Sequence, residues 1–342
     1  MQGIASNQVG LVAIGRNEGQ RLEQCLRSVL GKVVQIVYVD SGSTDGSVLM
    51  ARSLGVTVVS LDLSIPFTAA RARNAGLEQL LEIAPTIEFV QFVDGDCEII
   101  PGWLEAAVAA FDDRPNAVAV CGWVKERHPE RSIYNRICRI EWLNGSLGLV
   151  SSFAGNVMIR VLSLVAVGGY DASVIAAEDD ELSVRLRQQG GQILRIDQDC
   201  LWHDTDMHHF SQWWKRAMRC GYAYAQVSRL HGSAPEYKFR SEIKRIWLWG
   251  AIVPGSLMML VPLTQGLSLV GLLRYPLVAL KVAIHTQKRG FGWYESILWG
   301  TSCAVSVFPG LLGLIRFWFT HWRGKPHVII EHKMTQTVPK VF

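Results

Sequence analysis

No two cysteines in this chain are spaced C-x-x-C, and the seven present, at 25, 97, 121, 138, 200, 220 and 303, form no obvious framework. That argues against a zinc ribbon or a disulfide scaffold. The opening residues, MQGIASNQVG, lack both a basic n-region and an apolar h-region. Without a signal peptide, the N-terminal part is expected in a reduced, cytoplasmic setting. A formal net charge of +4 is too small to argue for nucleic acid, and none is expected as a partner. The glycine fingerprint G-x-G-x-x-G is missing after the first apolar run, where the chain reads GRNEGQRL, and no P-loop occurs. A dinucleotide-binding Rossmann site and a Walker-type site are thereby excluded.

Charge is absent from two long stretches, Ile246 to Leu273 and Ser296 to Ile315. About 20 apolar residues cross a bilayer. Three membrane segments are therefore expected: 246–263, 265–284 (which includes Arg274 and Lys281) and 296–319 (which includes Pro309-Gly310 and Arg316). The other reading is core helices of a soluble domain. Trp247, Trp249, Trp299, Trp318 and Trp322 lie near segment ends, as interfacial anchors do. Basic clusters YKFRSEIKR, HTQKRG and HWRGKPH flank the segments. The positive-inside rule places the first two on the cytoplasmic side. The third cluster favours the same side, so the last segment is either re-entrant or interfacial, or it crosses against the rule.

Before residue 245 short apolar runs alternate with helix-like segments. VGLVAIG (9–15), VVQIVYVD (33–40), VTVVS (56–60) and EFVQFVD (88–94) read as buried strands. EGQRLEQCLRSVL and TAARARNAGLEQLLEI between them have helical periodicity. This alternation indicates βαβ units and a mainly parallel sheet with flanking helices. Polar residues gather where the runs end: Asn17 and Glu18, Asp40, then Asp94 and Asp96. Open α/β sheets bind ligands outside the carboxyl ends of their strands. A D-x-D pair there suits a divalent ion whose other positions take phosphate oxygens, although such acidic pairs also occur in plain loops. Asp40 with Ser41 to Asp45 also makes a good turn and helix cap. The acids of AEDDELSVRLRQQG would equally suit a helix start, where the dipole favours them.

Six segments in order, IGRNEGQRLEQCLRSV, VDSGSTDGS, ARARNAGL, FVDGDCEIIPGWLE, GNVMIRVLSLVAVGGYD and AEDDELSVRLRQQG, resemble family 2 glycosyltransferases of the GT-A fold. The resemblance covers about residues 9–225. It implies a GT-A domain over 1–230; the charge pattern beyond it gives a basic juxtamembrane linker over 231–245, membrane-embedded helices over 246–323 and a tail over 324–342. The resemblance also implies roles. Asn17, Glu18 and Asp40 would hold the nucleotide base and ribose, a carboxylate being able to accept the imide N–H of uracil. The family often has two acids where this chain has Asp40-Ser41. Arg71 and Asn74, three apart on one helix face, would lie near the nucleotide, and Arg73 is expected at the surface. Asp94 and Asp96 match the metal motif, with Asp94 also beside the donor. Cys97 stands where another acid often occurs and is left out of the ligands. His203 resembles a late histidine near the metal; His208 and His209 are unassigned. Asp179 matches the catalytic base.

FSQWWKRAMRCG (210–221) lacks the Arg and Trp that Q-x-x-R-W would need, having Lys215 and Arg216, which argues against processive chain synthesis. It reads instead as a basic, aromatic helix at the membrane surface. The expectation is a membrane-associated, inverting, metal-dependent glycosyltransferase using Mg2+ or Mn2+. It would move sugar from a UDP-linked nucleotide-sugar donor to a lipid-linked or membrane-proximal acceptor, with its catalytic domain cytoplasmic. The alternatives are a polyprenyl-phosphate sugar synthase, which needs no general base, and a catalytically silent membrane scaffold.

Overall fold

The computed structural model describes residues 8–330. They fall into two compact units, one of residues 8–128 and 142–205, the other of residues 129–141 and 206–330. The expected boundary at 230 differs from this division. Helix α5 (Ile133–Trp142) lies almost wholly in the second unit, and α8 (Phe210–His231) entirely so.

The first unit contains a nine-stranded sheet: β1 (Val9–Gly15), β2 (Ile36–Asp40), β3 (Thr57–Ser60), β4 (Phe89–Asp94), β5 (Cys97–Ile99), β6 (Ala117–Glu126), β7 (Gly148–Val150), β8 (Val157–Arg160) and β9 (Gln192–His203). Its order is β3-β2-β1-β4-β8-β6-β9-β5, with β7 also on β9. The first half is parallel, as the apolar runs predicted. Beyond β4 the sheet is mixed: β8 runs antiparallel to β4 and β6, and β5 and β7 run antiparallel to β9. Helices α1 (Gln20–Val29), α2 (Ser47–Ser53), α3 (Ala69–Ile83), α4 (Trp103–Asp113), α6 (Val161–Ala166) and α7 (Glu178–Gln188) complete this unit.

Side chains along β1 alternate between two cores. Val9, Leu11 and Ala13 pack with Leu22, Leu26, Trp103 and Phe111; Val12 and Ile14 pack with Leu77, Leu80 and Phe92. Period two explains the division, and apolar burial on both faces stabilises each large side chain by about 1.5–3 kcal/mol. Helix α1 buries Leu22, Cys25, Leu26 and Val29, one stripe at helical spacing. Helix α3 comes close to the sheet because Gly76 has no side chain. A Cβ there would lie 2.4 Å from Val12 Cγ1.

In the second unit α9 (Arg240–Trp247) passes through a π-helical turn, Leu248–Ile252, into α10 (Val253–Thr264). The basic stretch expected as a linker is thus in part the first turns of this helix. A 3₁₀ segment, Leu267–Leu273, leads into α11 (Arg274–Lys288), then α12 (Trp293–Val305) and α13 (Val307–Trp322). Three helical runs are long and apolar enough to cross a membrane: Arg240–Thr264, Leu267–Lys288 and Trp293–Trp322. Helices α8 and α13 touch backbone to backbone. A Cβ on Gly313 would lie 2.0 Å from the Met218 carbonyl oxygen, and one on Gly221 2.0 Å from that of Gly310. The tail expected over 324–342 lies outside the described residues from 331 onward.

Candidate active site

The strand register gathers the acidic strand ends. Gly15 pairs with Asp40 on one side of β1, and Ile14 pairs with Asp94 on the other. Asp40 and Asp94 therefore flank one strand at one rim.

On the β1–β2 side, polar groups tie the loops to each other. Asn17, at a positive φ of 56° that asparagine tolerates, donates its backbone N–H to Ser43 Oγ at 2.9 Å and accepts Thr44 N–H on Oδ1 at 2.7 Å. Glu18 pairs with Arg21 at 2.7 Å. Buried Asp40 accepts Tyr38 O–H on Oδ1, and the N–H groups of Gly42 and Ser43 on Oδ2, each at 3.0 Å. The turn reading of Asp40 is therefore realised; a contact to a nucleotide base would be additional. Asp45 accepts Ser47 N–H at 3.0 Å, a turn contact just before the N-cap Gly46 of α2. Arg71 donates to the Ile65 and Asp62 carbonyl oxygens at 2.8 and 2.7 Å, holding the turn before α3.

One expectation on α3 is corrected. Arg73 is not at the surface; it is 2% exposed. Its Nη2 lies 3.1 Å from Asp94 Oδ1, and its Nη1 lies 2.6 Å from Glu178 Oε1 and 3.5 Å from Asp179 Oδ1. The reason is helical geometry: 73, 76, 77 and 80 form the stripe that α3 turns toward the sheet. Asn74, expected beside the nucleotide, turns both ends of its amide to one peptide unit. Its Nδ2 donates to Tyr170 O and its Oδ1 accepts Tyr170 N–H, each at 2.8 Å. It holds the chain that leads to α7.

Glu178 and Asp179 open α7 behind Ala177, whose φ of 58° is left-handed for a residue with a Cβ. Such strain costs on the order of 1–3 kcal/mol and clusters at functional sites. Burial works against the Arg73 charge, but Asp179, Asp94 and Glu178 outweigh it and hold the guanidinium ionised, well above its usual range. One cation does not satisfy three carboxylates. Burial, opposed by Arg73 and assisted by Glu178 and Asp94, pushes Asp179 well above the ordinary aspartate range. Asp179 Oδ1 is buried and accepts no hydrogen bond among the described residues.

Beside this cluster, Asp96, Cys97 and His203 offer ligand atoms that all lie within 4.8 Å of one another. Antiparallel pairing of β5 with β9 sets Cys97 opposite His203, and His203 Nε2 is 3.6 Å from Asp96 Oδ2. A buried carboxylate, an imidazole and a sulfur suit a divalent metal. The expected set joined Asp94 and Asp96 with His203. Asp94 stands outside the group that the fold gathers, and Cys97, which had been left out, lies within it. On β6, buried Glu126 accepts Thr205 O–H at 2.5 Å and His128 N–H at 3.1 Å. Burial pushes its carboxyl up to about 7 against those bonds.

A mixed α/β sheet with helices on both faces and acids at its strand ends defines a GT-A type domain. Residues 12–162 match the model of the glycosyl transferase family 2 and are similar to members of that family. A TPR repeat-containing protein of Synechococcus elongatus is 30% identical over 139 residues, 40% of this chain and 32% of that protein. A pre-mycofactocin glycosyltransferase of Mycobacterium tuberculosis is 27% identical over 209 residues, 56% of this chain and 41% of that protein. Among solved structures, the mannosyltransferase PcManGT from Pyrobaculum calidifontis, in complex with GDP-Man and Mn2+, has a TM-score of 0.61 at 18% identity. The match covers 91% of this chain and 87% of that one, a likeness of fold. The chain spans 32% and 41% of the lengths of these two curated relatives.

Proposed function

We propose that this protein is a membrane-associated, inverting glycosyltransferase with a nucleotide-sugar donor, UDP-linked, and an acceptor hydroxyl on a lipid-linked or membrane-proximal glycan. The catalytic domain would face the cytoplasm, anchored by the three apolar helical runs. The observation that carries the reading is Arg73, whose single guanidinium lies within 3.5 Å of Asp94, Glu178 and Asp179. The metal motif and the candidate base thus share one buried cation.

In this reading Asp179 takes the acceptor's proton as the hydroxyl oxygen attacks the anomeric carbon. A new C–O bond forms while the bond from that carbon to the diphosphate oxygen breaks, and the electron pair leaves with the nucleotide. The Oδ1 of Asp179, which accepts no hydrogen bond among the described residues, suits the hydroxyl, and its raised affinity for protons suits a base. Attack from the side opposite the nucleotide inverts the configuration. Asp96 and His203, with Asp94 at the rim, would hold Mg2+ or Mn2+, and Cys97 lies within reach. When bound there, such an ion supplies charge neutralisation to the diphosphate. Asn17, Glu18, Asp40 and Arg71 would border the nucleotide.

The test incubates detergent-solubilised protein with radiolabelled UDP- and GDP-sugars, including GDP-mannose, and a membrane lipid extract. Transfer from one donor to an extracted glycan, with inverted configuration, is the expected result. A phosphate-linked product made equally well by Asp179→Asn would instead favour a polyprenyl-phosphate sugar synthase.

A further inference from the structure

An imidazole presents a lone pair to a metal through one nitrogen when the other carries the proton and donates it to a fixed acceptor. His203 has such surroundings. It closes β9, opposite Cys97 of β5 on one side and Glu126 of β6 on the other. Its Nε2 faces Asp96 Oδ2 at 3.6 Å, and its Nδ1 faces Thr205 Oγ1 at 3.3 Å. The Trp142 ring lies 4.6 Å from the His203 ring, centroid to centroid, edge to face.

Thr205 decides which nitrogen carries the proton. Its hydroxyl has one hydrogen and two close oxygen or nitrogen neighbours. Glu126 Oε2 is at 2.5 Å and His203 Nδ1 at 3.3 Å. The hydrogen goes to the nearer acceptor, because 2.5 Å is a full O–H···O bond while 3.3 Å is long for one. Thr205 Oγ then faces the imidazole with lone pairs only, so in a bond between the two it is Nδ1 that donates. Glu126 is itself fixed, since its other oxygen accepts His128 N–H at 3.1 Å. Glu126 and Thr205 are both buried, so water competes little for these bonds.

We propose that Glu126 and Thr205 are positioning residues that lock His203 in its Nδ1–H tautomer, leaving the Nε2 lone pair directed toward Asp96 to receive a divalent cation. The inference rests on the reading of His203 as a metal ligand given above. A purely structural role for the pair, holding the turn after β9, would leave the tautomer and the metal affinity unmoved.

Two readouts on the full-length protein in detergent at pH 8 test this. Long-range proton–nitrogen spectra of the metal-free, 15N-histidine-labelled protein report the tautomer directly, with His203→Gln assigning the signal. Paramagnetic titration with Mn2+ alone reports affinity. The wild type should show a protonated Nδ1. Thr205→Val keeps the side-chain volume and removes the hydroxyl; it should lose the pure Nδ1–H form and bind Mn2+ about 10- to 100-fold more weakly. Thr205→Ser should restore both. Glu126→Gln, whose amide N–H₂ can donate to Oγ and turn the hydroxyl toward Nδ1, should resemble Thr205→Val. A wild-type tautomer and wild-type Mn2+ affinity in Thr205→Val and Glu126→Gln, with affinity lost in His203→Ala, would overturn the positioning role alone. Wild-type Mn2+ affinity in His203→Ala would overturn the ligand reading, and the inference with it.

Discussion

Arg73 Nη1 lies 2.6 Å from Glu178 Oε1, although 105 positions of chain separate the two residues. The pair joins α3 to the first turn of α7 inside the protein, where removing one partner leaves the other charged and unsatisfied. Such a loss costs about 3–5 kcal/mol. Arg73→Leu should therefore lower the melting temperature markedly. Arg73→Lys, which keeps the charge but not the fork, should fold and yet transfer sugar more slowly. Unchanged melting of Arg73→Leu in a thermal scan would refute the bridging role.

Asp179 gives a prediction in pH. Its carboxyl holds its proton well above the usual range, chiefly through burial, and a general base works only when ionised. The kcat/KM of the wild type should thus rise with pH through that raised value and fall below it. Asp179→Asn should remove this acidic limb and reduce transfer by roughly 10²–10⁴-fold. The folded state binds this proton more tightly than the unfolded chain does, so stability is lost as pH rises from the ordinary aspartate range through the raised value. The asparagine variant should melt no lower than the wild type at pH 7. A large drop in its melting temperature would contradict the raised affinity.

Metal removal should separate donor binding from folding. Calorimetry with UDP is expected to show binding that weakens sharply in EDTA or in Asp96→Ala, while the melting temperature of metal-free protein changes little. Equal UDP affinity with and without metal would eliminate the metal from donor binding.

In the second unit, Gly313→Ala places a methyl group where the Met218 carbonyl oxygen lies 2.0 Å away, so α8 and α13 must move apart. Overpacking of this kind costs about 1–3 kcal/mol. Thermal unfolding in detergent should show the loss. Gly324→Ala, at a position with nothing within 4 Å but a positive φ of 60°, should produce only the smaller effect of backbone strain.

The sequence disclosed the parallel half of the sheet because β1, β2 and β4 are apolar runs that end in acids. It hid the mixed half because β5, β7 and β8 are three or four residues long, too short for periodicity to register. Asp179 could be singled out through resemblance, but its burial is a tertiary fact. Arg73 was misjudged on residue type, since arginine on a helix usually faces water; its place in line with Gly76, Leu77 and Leu80 was the available signal. Asp96, Cys97 and His203 converge through strand pairing between distant segments, which one chain read alone does not disclose. Thr205 and Glu126 left no mark at all, being an ordinary threonine and glutamate until β6 and β9 align.

The brevity of β5 carries a consequence of its own. Three residues, Cys97 to Ile99, pair antiparallel with the end of β9, and successive side chains on a strand leave from opposite faces. A slip of one residue would bring Glu98 opposite His203 and take Cys97 away from it. The two residues between β4 and β5, Gly95 and Asp96, therefore act as a ruler. A residue inserted or deleted there would break the register that sets Cys97 opposite His203 without altering either side chain.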